Sequence, residues 1–404
     1  MRFELGLILV FSLYFDELNW RSVVILFFGY ILRYNLKKKY IRLIYDFWMI
    51  SLIMSTLNVT WKWDYLNHLN LTVPLYFYLT LIFGVYCFLY LISRLWNTET
   101  ETGSKYKYDN FGFWLIYVTG AMAILISLGI KGSIPLFSSN ILESRENLFP
   151  MGLGSLVILN QFTIVFLLFL KRKGIRVKYF IFKVCIPVML LIITSQRILI
   201  IETVLICAFV YLFVDSTISK RAVSLRYYFF GGILGVLLFW IGSLRGLTEL
   251  SLTDLNNVFL EQVYIYSGGP ALKNFLALSR GLLGEVDLKY GLTTLRALFH
   301  FAIEDYDIGS FFKGPNNATI LSYQFIDWGN YWVYVSPLVW LFYIIIISRF
   351  FKIMRKEYRA FLQAVCLAAI FFSPLTDRMF DYSTFLRIAM FYLSLKLIRL
   401  RCLG

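Results

Sequence analysis

The sequence predicts an all-α protein, a polytopic membrane bundle of about twelve transmembrane helices with one large external loop. Three observations predict it. Of 404 residues, 59% are hydrophobic and only 16% are charged, with a mean hydropathy of +0.69, which is typical of chains that cross a bilayer many times. Apolar runs near the ~20 residues needed to cross the hydrocarbon recur along the chain. Basic residues concentrate in alternate connections. Because no internal repeat divides the chain, we expect a single integral membrane domain over residues 1–404.

The twelve predicted spans follow from these apolar runs. The long apolar run Tyr179–Val214 is divided at Ser195–Gln196, because one helix of that length would have to tilt strongly to fit the bilayer. No small-residue cleavage site follows the first apolar stretch, so we expect that stretch to be retained as a helix. The spans are 2–15, 20–34, 43–60, 73–93, 111–130, 151–170, 179–195, 197–214, 227–244, 331–349, 358–375 and 384–401.

The basic residues predict the orientation, because short cytoplasmic loops are enriched in Lys and Arg. All the basic clusters fall on the same side of the twelve-span arrangement, so both termini are expected in the cytoplasm. The net charge of +15 is then an orientation signal, and the expected partner is the lipid bilayer rather than nucleic acid. The clusters lie at residues 33–42, 94–107, 171–178, 220–226, 349–359 and 396–401.

The external loop, residues 245–330, is far longer than ordinary connections and is therefore expected to carry function. We predict short helices within it, with Pro270 in the first turn of one and Asn316 or Asn317 capping another that runs towards Tyr323. Pro270 opens the predicted helix Ala271–Leu278, and the other predicted helices cover Thr253–Ile265 and about Leu292–Ile303.

Four of the predicted outer segments each contain one arginine, although the positive-inside rule predicts few Lys and Arg on that side. These are Arg145, Arg197, Arg245 and Arg378. Each alone is explained as an interface arginine that reaches towards headgroups or pairs with an acid such as Glu202, Asp377 or Asp381. As a set they favour an anion site, because guanidinium groups bind phosphate bidentately and remain charged. Glu202 is predicted to be a buried counter-ion rather than a catalyst.

The order of these features resembles the bacterial oligosaccharide repeat-unit polymerases, the Wzy-type O-antigen polymerases. The matching stretches are "GSIPLFSSNILESREN", "SQR", "GSLRG", "YIYSGGPALKNF" and "GPNNATILSYQFIDWGNYWVY". The resemblance implies a GT-C-like inner-membrane glycosyltransferase of lipopolysaccharide biosynthesis. Such an enzyme transfers a growing glycan from undecaprenyl diphosphate to another lipid-linked repeat unit at the periplasmic face.

The resemblance also implies residue roles. Arg197, Arg245 and Arg378 are expected to hold the diphosphates, which makes them catalytic through stabilisation of the departing charge. An acceptor hydroxyl needs at most one base, for which Asp327 and Glu249 are the leading candidates, beside Asp254, Glu261, His300 and Asp377. The expected substrate-binding residues are Arg145, Arg387, Gly268, Gly269, Asn317, Tyr264 and His300.

No cofactor and no metal are expected. Asp305 and Asp307 in "EDYD" have the spacing of a divalent-cation motif, but two acids in a solvated loop are a simpler reading. The expected partners are undecaprenyl-diphosphate-linked glycans, and a chain-length regulator is a candidate. Two alternatives stay open: a lipid-linked oligosaccharide flippase or other transporter, which should show related halves, and an O-antigen ligase, although Phe301 after His300 departs from the ligase pattern.

Overall fold

The computed structural model describes residues 20–56, 75–96, 105–138, 148–149, 153–214, 267–280, 319–375 and 378–403. This part of the chain is almost entirely α-helical, as the sequence predicts. The helices and strands are α1 Trp20–Asn35, α2 Lys39–Ser55, α3 Leu75–Leu95, β1 Lys105–Lys107, α4 Asn110–Lys131, α5 Leu153–Arg172, α6 Phe180–Ile193, α7 Arg197–Val214, α8 Gly269–Ser279, α9 Ile320–Trp328, α10 Trp332–Ile353, α11 Lys356–Phe372, α12 Tyr382–Leu397 and β2 Arg401–Leu403.

Four of the described helical segments are long and apolar enough to cross a membrane, which agrees with the expected membrane character. They are α3, α4, α5 and the nearly continuous stretch Ile320–Ile353. Helices also lie at six further predicted spans, whereas the spans 2–15 and 227–244 lie outside the described residues. The predicted span 384–401 is too long, because α12 ends at Leu397 and Arg399 adopts a left-handed φ of 48°.

The predicted division of the Tyr179–Val214 run is confirmed. Helix α6 ends at Ile193, Ser195 adopts a left-handed φ of 54°, and α7 begins at Arg197. The Thr194 hydroxyl donates to the carbonyl of Leu191 at 2.7 Å and Ser195 N–H donates to Ile192 at 2.9 Å. These bonds satisfy carbonyls that the end of a helix leaves without partners.

The described residues form two compact units. The first contains α1, α2, α3, α8, α9, Trp332–Phe350 of α10, Ala369–Phe372 of α11 and Tyr382–Phe385 of α12. The second contains β1, α4, α5, α6, α7, β2 and the remaining parts of α10, α11 and α12.

Helix α8 is buried in the first unit, where it packs against α2. Pro270 lies in its first turn, as predicted, and Gly268 before it has a φ of 81°. The Ser51 hydroxyl donates to the carbonyl of Ser267, and the Ser267 hydroxyl accepts from Gly269 N–H at 3.2 Å. The turn that opens α8 is therefore tied to α2 by side-chain hydrogen bonds.

Helix α9 differs from the prediction at its start. Thr319 is the N-cap residue, and its hydroxyl accepts from Ser322 N–H at 3.2 Å. Because Thr319 fills the cap position, the predicted asparagine cap is corrected to Thr319; Asn316 and Asn317 themselves lie outside the described residues. The physical role is the same, because a threonine oxygen also satisfies a free N–H of the first turn. Thr319 itself is fully buried.

The core of the second unit is built around α5, whose residues Val157–Leu167 are all buried. Phe162 and Phe166 stack at 5.6 Å, and Phe162 meets Phe391 edge-on at 5.2 Å. The amide of Asn160 donates to the carbonyl of Gly120 at 2.6 Å and so fastens α5 to α4. Aromatic packing supplies much of the contact area, and the amide supplies the specific link.

A short two-stranded ribbon in the second unit was not predicted from the sequence. Strand β1 pairs antiparallel with β2, with Tyr106 opposite Cys402 and Lys107 opposite Arg401. Each strand has three residues, and the two lie almost at opposite ends of the second unit's sequence. The sequence around either strand has no local hairpin pattern that would predict this pairing.

Replacing Gly269 by alanine is expected to lower the free energy of unfolding by about 1–3 kcal/mol, because an added Cβ would lie 2.7 Å from Met54 Cβ in a packed interior. Gly84→Ala is the matched control. A Cβ there meets nothing within 4 Å, so it should stabilise α3 by up to about 1 kcal/mol. Thermal unfolding of the purified protein in detergent measures both, and equal stability of the two variants would contradict the close approach.

Candidate functional site

The second unit contains a buried polar network formed by Arg387, Glu202 and Gln161. Arg387 Nη2 donates to Glu202 Oε2 at 2.6 Å, and Arg387 Nε donates to Gln161 Oε1 at 3.0 Å. Gln161 Nε2 in turn donates to the carbonyl of Leu199 at 2.8 Å. The three side chains come from α12, α7 and α5, so the network joins three helices.

All three side chains of this network are withdrawn from the surface, with residue exposures of 5% for Arg387, 2% for Glu202 and 0% for Gln161. A charge among apolar helices is costly unless it is paired and hydrogen-bonded. Here each charge has a partner. Glu202 thus occupies the buried counter-ion position that its sequence context predicts, and its partner is Arg387.

This pairing changes the interpretation of Arg387, which the sequence groups with substrate-binding residues. Its guanidinium is buried inside the unit, where Nε and Nη2 are engaged by Gln161 and Glu202. We therefore assign Arg387 a positioning role in holding three helices together. The sequence could not show this, because the partner carboxylate is 185 residues away along the chain.

A second polar cluster lies in the first unit, in the connection between α11 and α12. Arg378 Nη1 donates to Asp381 Oδ2 at 2.5 Å and to Ser383 Oγ at 3.0 Å, and the Ser383 hydroxyl donates to the same carboxylate oxygen at 2.5 Å. The side chains of Arg378 and Asp381 are 21% and 25% exposed. This guanidinium is held in place yet remains partly accessible, unlike that of Arg387.

Arg197 is the first residue of α7. The carbonyl of Leu199, two residues further along, accepts from Gln161, so the buried network also fastens the first turn of the helix that Arg197 opens. The sequence-based position of Arg197 at the tip of a helical hairpin is therefore confirmed for the backbone.

Gly268 and Gly269 lie where the start of α8 packs closely against α2. A Cβ at Gly268 would lie 2.9 Å from Ser51 Oγ, and one at Gly269 would lie 2.7 Å from Met54 Cβ. Both glycines are buried. Their expected role in substrate binding stays a prediction. In the structure they allow the start of α8 to approach α2 closely, and the positive φ of Gly268 also favours glycine.

Asp327 lies on α9 and is fully buried. The sequence places it in the external loop as a candidate base, but the described conformation gives an acceptor sugar no access to its carboxylate. The other predicted site residues lie outside the described part of the chain; they are Arg145, Arg245, Glu249, Asp254, Glu261, Tyr264, His300, Asn317 and Asp377.

Within the described ranges, no group of three His, Cys, Asp or Glu side chains could hold a metal ion. Asp305 and Asp307 lie outside those ranges. A cavity of about 760 Å³ in the first unit is lined mainly by apolar residues of α3 and α10. None of the predicted site residues lines it, so it is separate from the polar clusters.

Two residues of these clusters were missed by sequence reasoning. Gln161 follows Asn160 in an otherwise apolar span, and such an amide pair is the signal that could have marked it. Ser383 lies two residues after Asp381, close enough in sequence to share its carboxylate. An amide side chain inside an apolar helix can hydrogen-bond to a neighbouring helix, as Gln161 does.

Comparisons of this chain with protein families, curated proteins and solved structures find no match.

The buried pair gives a stability prediction. Glu202→Ala should lower the free energy of unfolding by about 3–5 kcal/mol, because it leaves the Arg387 charge buried without its carboxylate. The double variant Glu202→Leu with Arg387→Met should lose much less, because it removes both charges and keeps the volume. Chemical denaturation of the purified protein measures the difference.

The matched control for this cycle is Arg94→Ala, which removes an exposed arginine that contacts Tyr90 and should change stability by no more than about 0.5 kcal/mol. A double variant as unstable as the Glu202→Ala single variant would contradict the ion-pair explanation.

Proposed function

We propose that this chain is a membrane glycosyltransferase that polymerises undecaprenyl-diphosphate-linked oligosaccharide repeat units into O-antigen or a related surface polysaccharide. It would lie in the bacterial inner membrane with both termini in the cytoplasm and the site at the periplasmic face. The family resemblance of the scattered motifs supports the substrate class. The position and setting of Arg378 support the anion site.

Arg378 is the observation that carries the proposal. Helix α11 begins at Lys356, close to Arg355 and Arg359, and α12 ends at Leu397, next to Lys396. Because basic ends of spans face the cytoplasm, the α11–α12 connection that holds Arg378 belongs to the outer side. An arginine there is not an orientation signal, and its partly exposed guanidinium is fixed by Asp381 and Ser383.

The chemistry needs few protein groups. The glycosidic bond to the lipid diphosphate breaks while the acceptor hydroxyl oxygen bonds to the anomeric carbon, and the diphosphate leaves as an anion. A guanidinium at the leaving oxygen stabilises this developing charge without transferring a proton. Asp381 would orient the guanidinium, and the hydroxyl proton would pass to a base or to water. We propose a diphosphate-holding role for Arg197 and Arg245 as well.

The transporter alternative is favoured by one observation, the charged pair Arg387–Glu202 inside apolar helices. The position of the pair along its two helices weakens that interpretation. Both residues lie five positions from the start of their helices, which is about 7.5 Å along the axis. A transport site is expected near the bilayer midplane. The ligase alternative depends on His300, outside the described residues.

Arg378→Lys should abolish polymerisation while the protein stays in the membrane, because an ammonium cannot reproduce the planar, bidentate geometry of guanidinium on a diphosphate. The measurement is the polysaccharide ladder on a gel, beside immunodetection of the protein in membranes. A deletion strain complemented by the variant should show single capped repeat units. Arg197→Lys and Arg245→Lys should behave alike.

The control is Arg94→Lys, a change at an exposed arginine on the predicted cytoplasmic side, which should leave the ladder unchanged. Complete loss of surface glycan in the deletion strain would favour a flippase or a ligase. Long chains retained by all three outer variants would remove the diphosphate-holding role.

A further inference from the structure

The β1–β2 ribbon places two exposed cations directly opposite each other. Lys107 and Arg401 are Cα partners in the antiparallel pair, and both are exposed. Side chains of such cross-strand partners lie about 4.5–5.5 Å apart at Cβ, and like charges there repel. Within the described part of the chain, neither residue forms an ion pair. The strand pairing keeps the two charges close together despite their repulsion.

A further exposed cation lies close to this pair along the chain. Arg399, two residues before Arg401, is exposed and has a left-handed φ of 48°. Ile398 and Leu400, which alternate with these arginines, are fully buried. The alternation therefore fixes which side chains face outwards.

The ribbon is also anchored to other parts of the second unit. The ring of Tyr106 packs edge-on against Phe169 at 5.3 Å, and Asp109 N–H donates to the carbonyl of Ile398 at 2.6 Å. The Asp109 carboxylate, the acid closest to Lys107 along the strand, accepts from Phe111 N–H at 3.1 Å as the cap of α4. This bond holds the carboxylate at the helix start.

The ribbon lies where apolar helices begin and end. Strand β1 is followed by α4, an apolar helix long enough to cross the membrane, and β2 follows α12. By the positive-inside rule this end faces the cytoplasm. A rigid group of Lys and Arg just outside the hydrocarbon lies at the depth of lipid phosphates, and such basic groups bind anionic headgroups.

We propose that the basic ribbon formed by Lys107 and Arg401, with Arg399 beside it, is a binding site for the headgroup phosphate of an anionic phospholipid in the cytoplasmic leaflet. The negative charge of the lipid phosphate reduces the repulsion between these like charges. Orientation alone needs only basic residues in flexible loops. Here the strand pairing joins two segments that are distant in sequence, and it holds their charges at one place.

The test uses the purified full-length protein in zwitterionic phosphatidylcholine micelles doped with either phosphatidylglycerol or more phosphatidylcholine. Phosphatidylglycerol should raise the wild-type Tm by several degrees. Arg401→Ala should raise Tm in pure phosphatidylcholine, because the repulsion is relieved, and should lose at least half of the response to phosphatidylglycerol. Arg401→Glu, which can pair with Lys107, should be nearly insensitive to the lipid.

Lys131→Ala is the matched control, because it removes an exposed lysine from the opposite end of α4; it should retain the full response. Inorganic phosphate at the same concentration should not reproduce the shift, and an equal shift would mean a soluble-anion site and overturn the lipid assignment. A wild-type Tm that is the same in both lipids, or a full response in Arg401→Glu, would also overturn it.

A competing internal partner is tested separately. Glu99 and Glu101 precede β1 and lie outside the described residues. If they neutralised the ribbon, Glu99→Gln with Glu101→Gln would lower Tm in phosphatidylcholine and Arg401→Ala would not raise it, which would overturn the proposal. An unchanged Tm in the glutamine variant supports it.

Discussion

The structure depends on one constraint, which is that hydrocarbon offers no hydrogen bonds. A polar group inside an apolar helix must find its partner within the protein. The backbone meets this requirement by forming helices. The side chains meet it through hydrogen bonds and ion pairs, of which the Arg387–Glu202 pair is the most demanding because both partners are charged and buried. Gln161 completes the arrangement by accepting from the arginine and donating to the first turn of α7.

The same constraint distinguishes the arginines from one another. Arg387 has its carboxylate inside the unit, so its charge serves the assembly of three helices. Arg378 is also paired, but its cluster lies in a connection and remains partly exposed. A guanidinium that is held in place and still accessible can meet a ligand without a large cost of reorganisation. That contrast makes Arg378, rather than Arg387, the described residue on which the proposed glycosyltransferase site depends.

Close backbone approach accounts for residues that a sequence motif presents as functional. The glycines of "SGGPAL" resemble a ligand-binding turn, yet their missing side chains leave room for Ser51, Met54 and Pro374. Asp327 resembles a loop carboxylate that could take a proton, yet α9 buries it. In both cases the residue type is evident from the sequence, but the residues that pack around it come from helices that are distant in the chain.

The sequence by itself determined the helical class and most helix positions, because apolar length and turn-forming breaks are local properties. It located the break at Ser195–Gln196 and the proline that opens α8 for the same reason. It also marked Glu202 as a buried counter-ion. Only the tertiary structure decided that the partner is Arg387 and that Gln161 joins them. It alone paired β1 with β2, because contacts between residues far apart in the chain leave no periodic pattern in either segment.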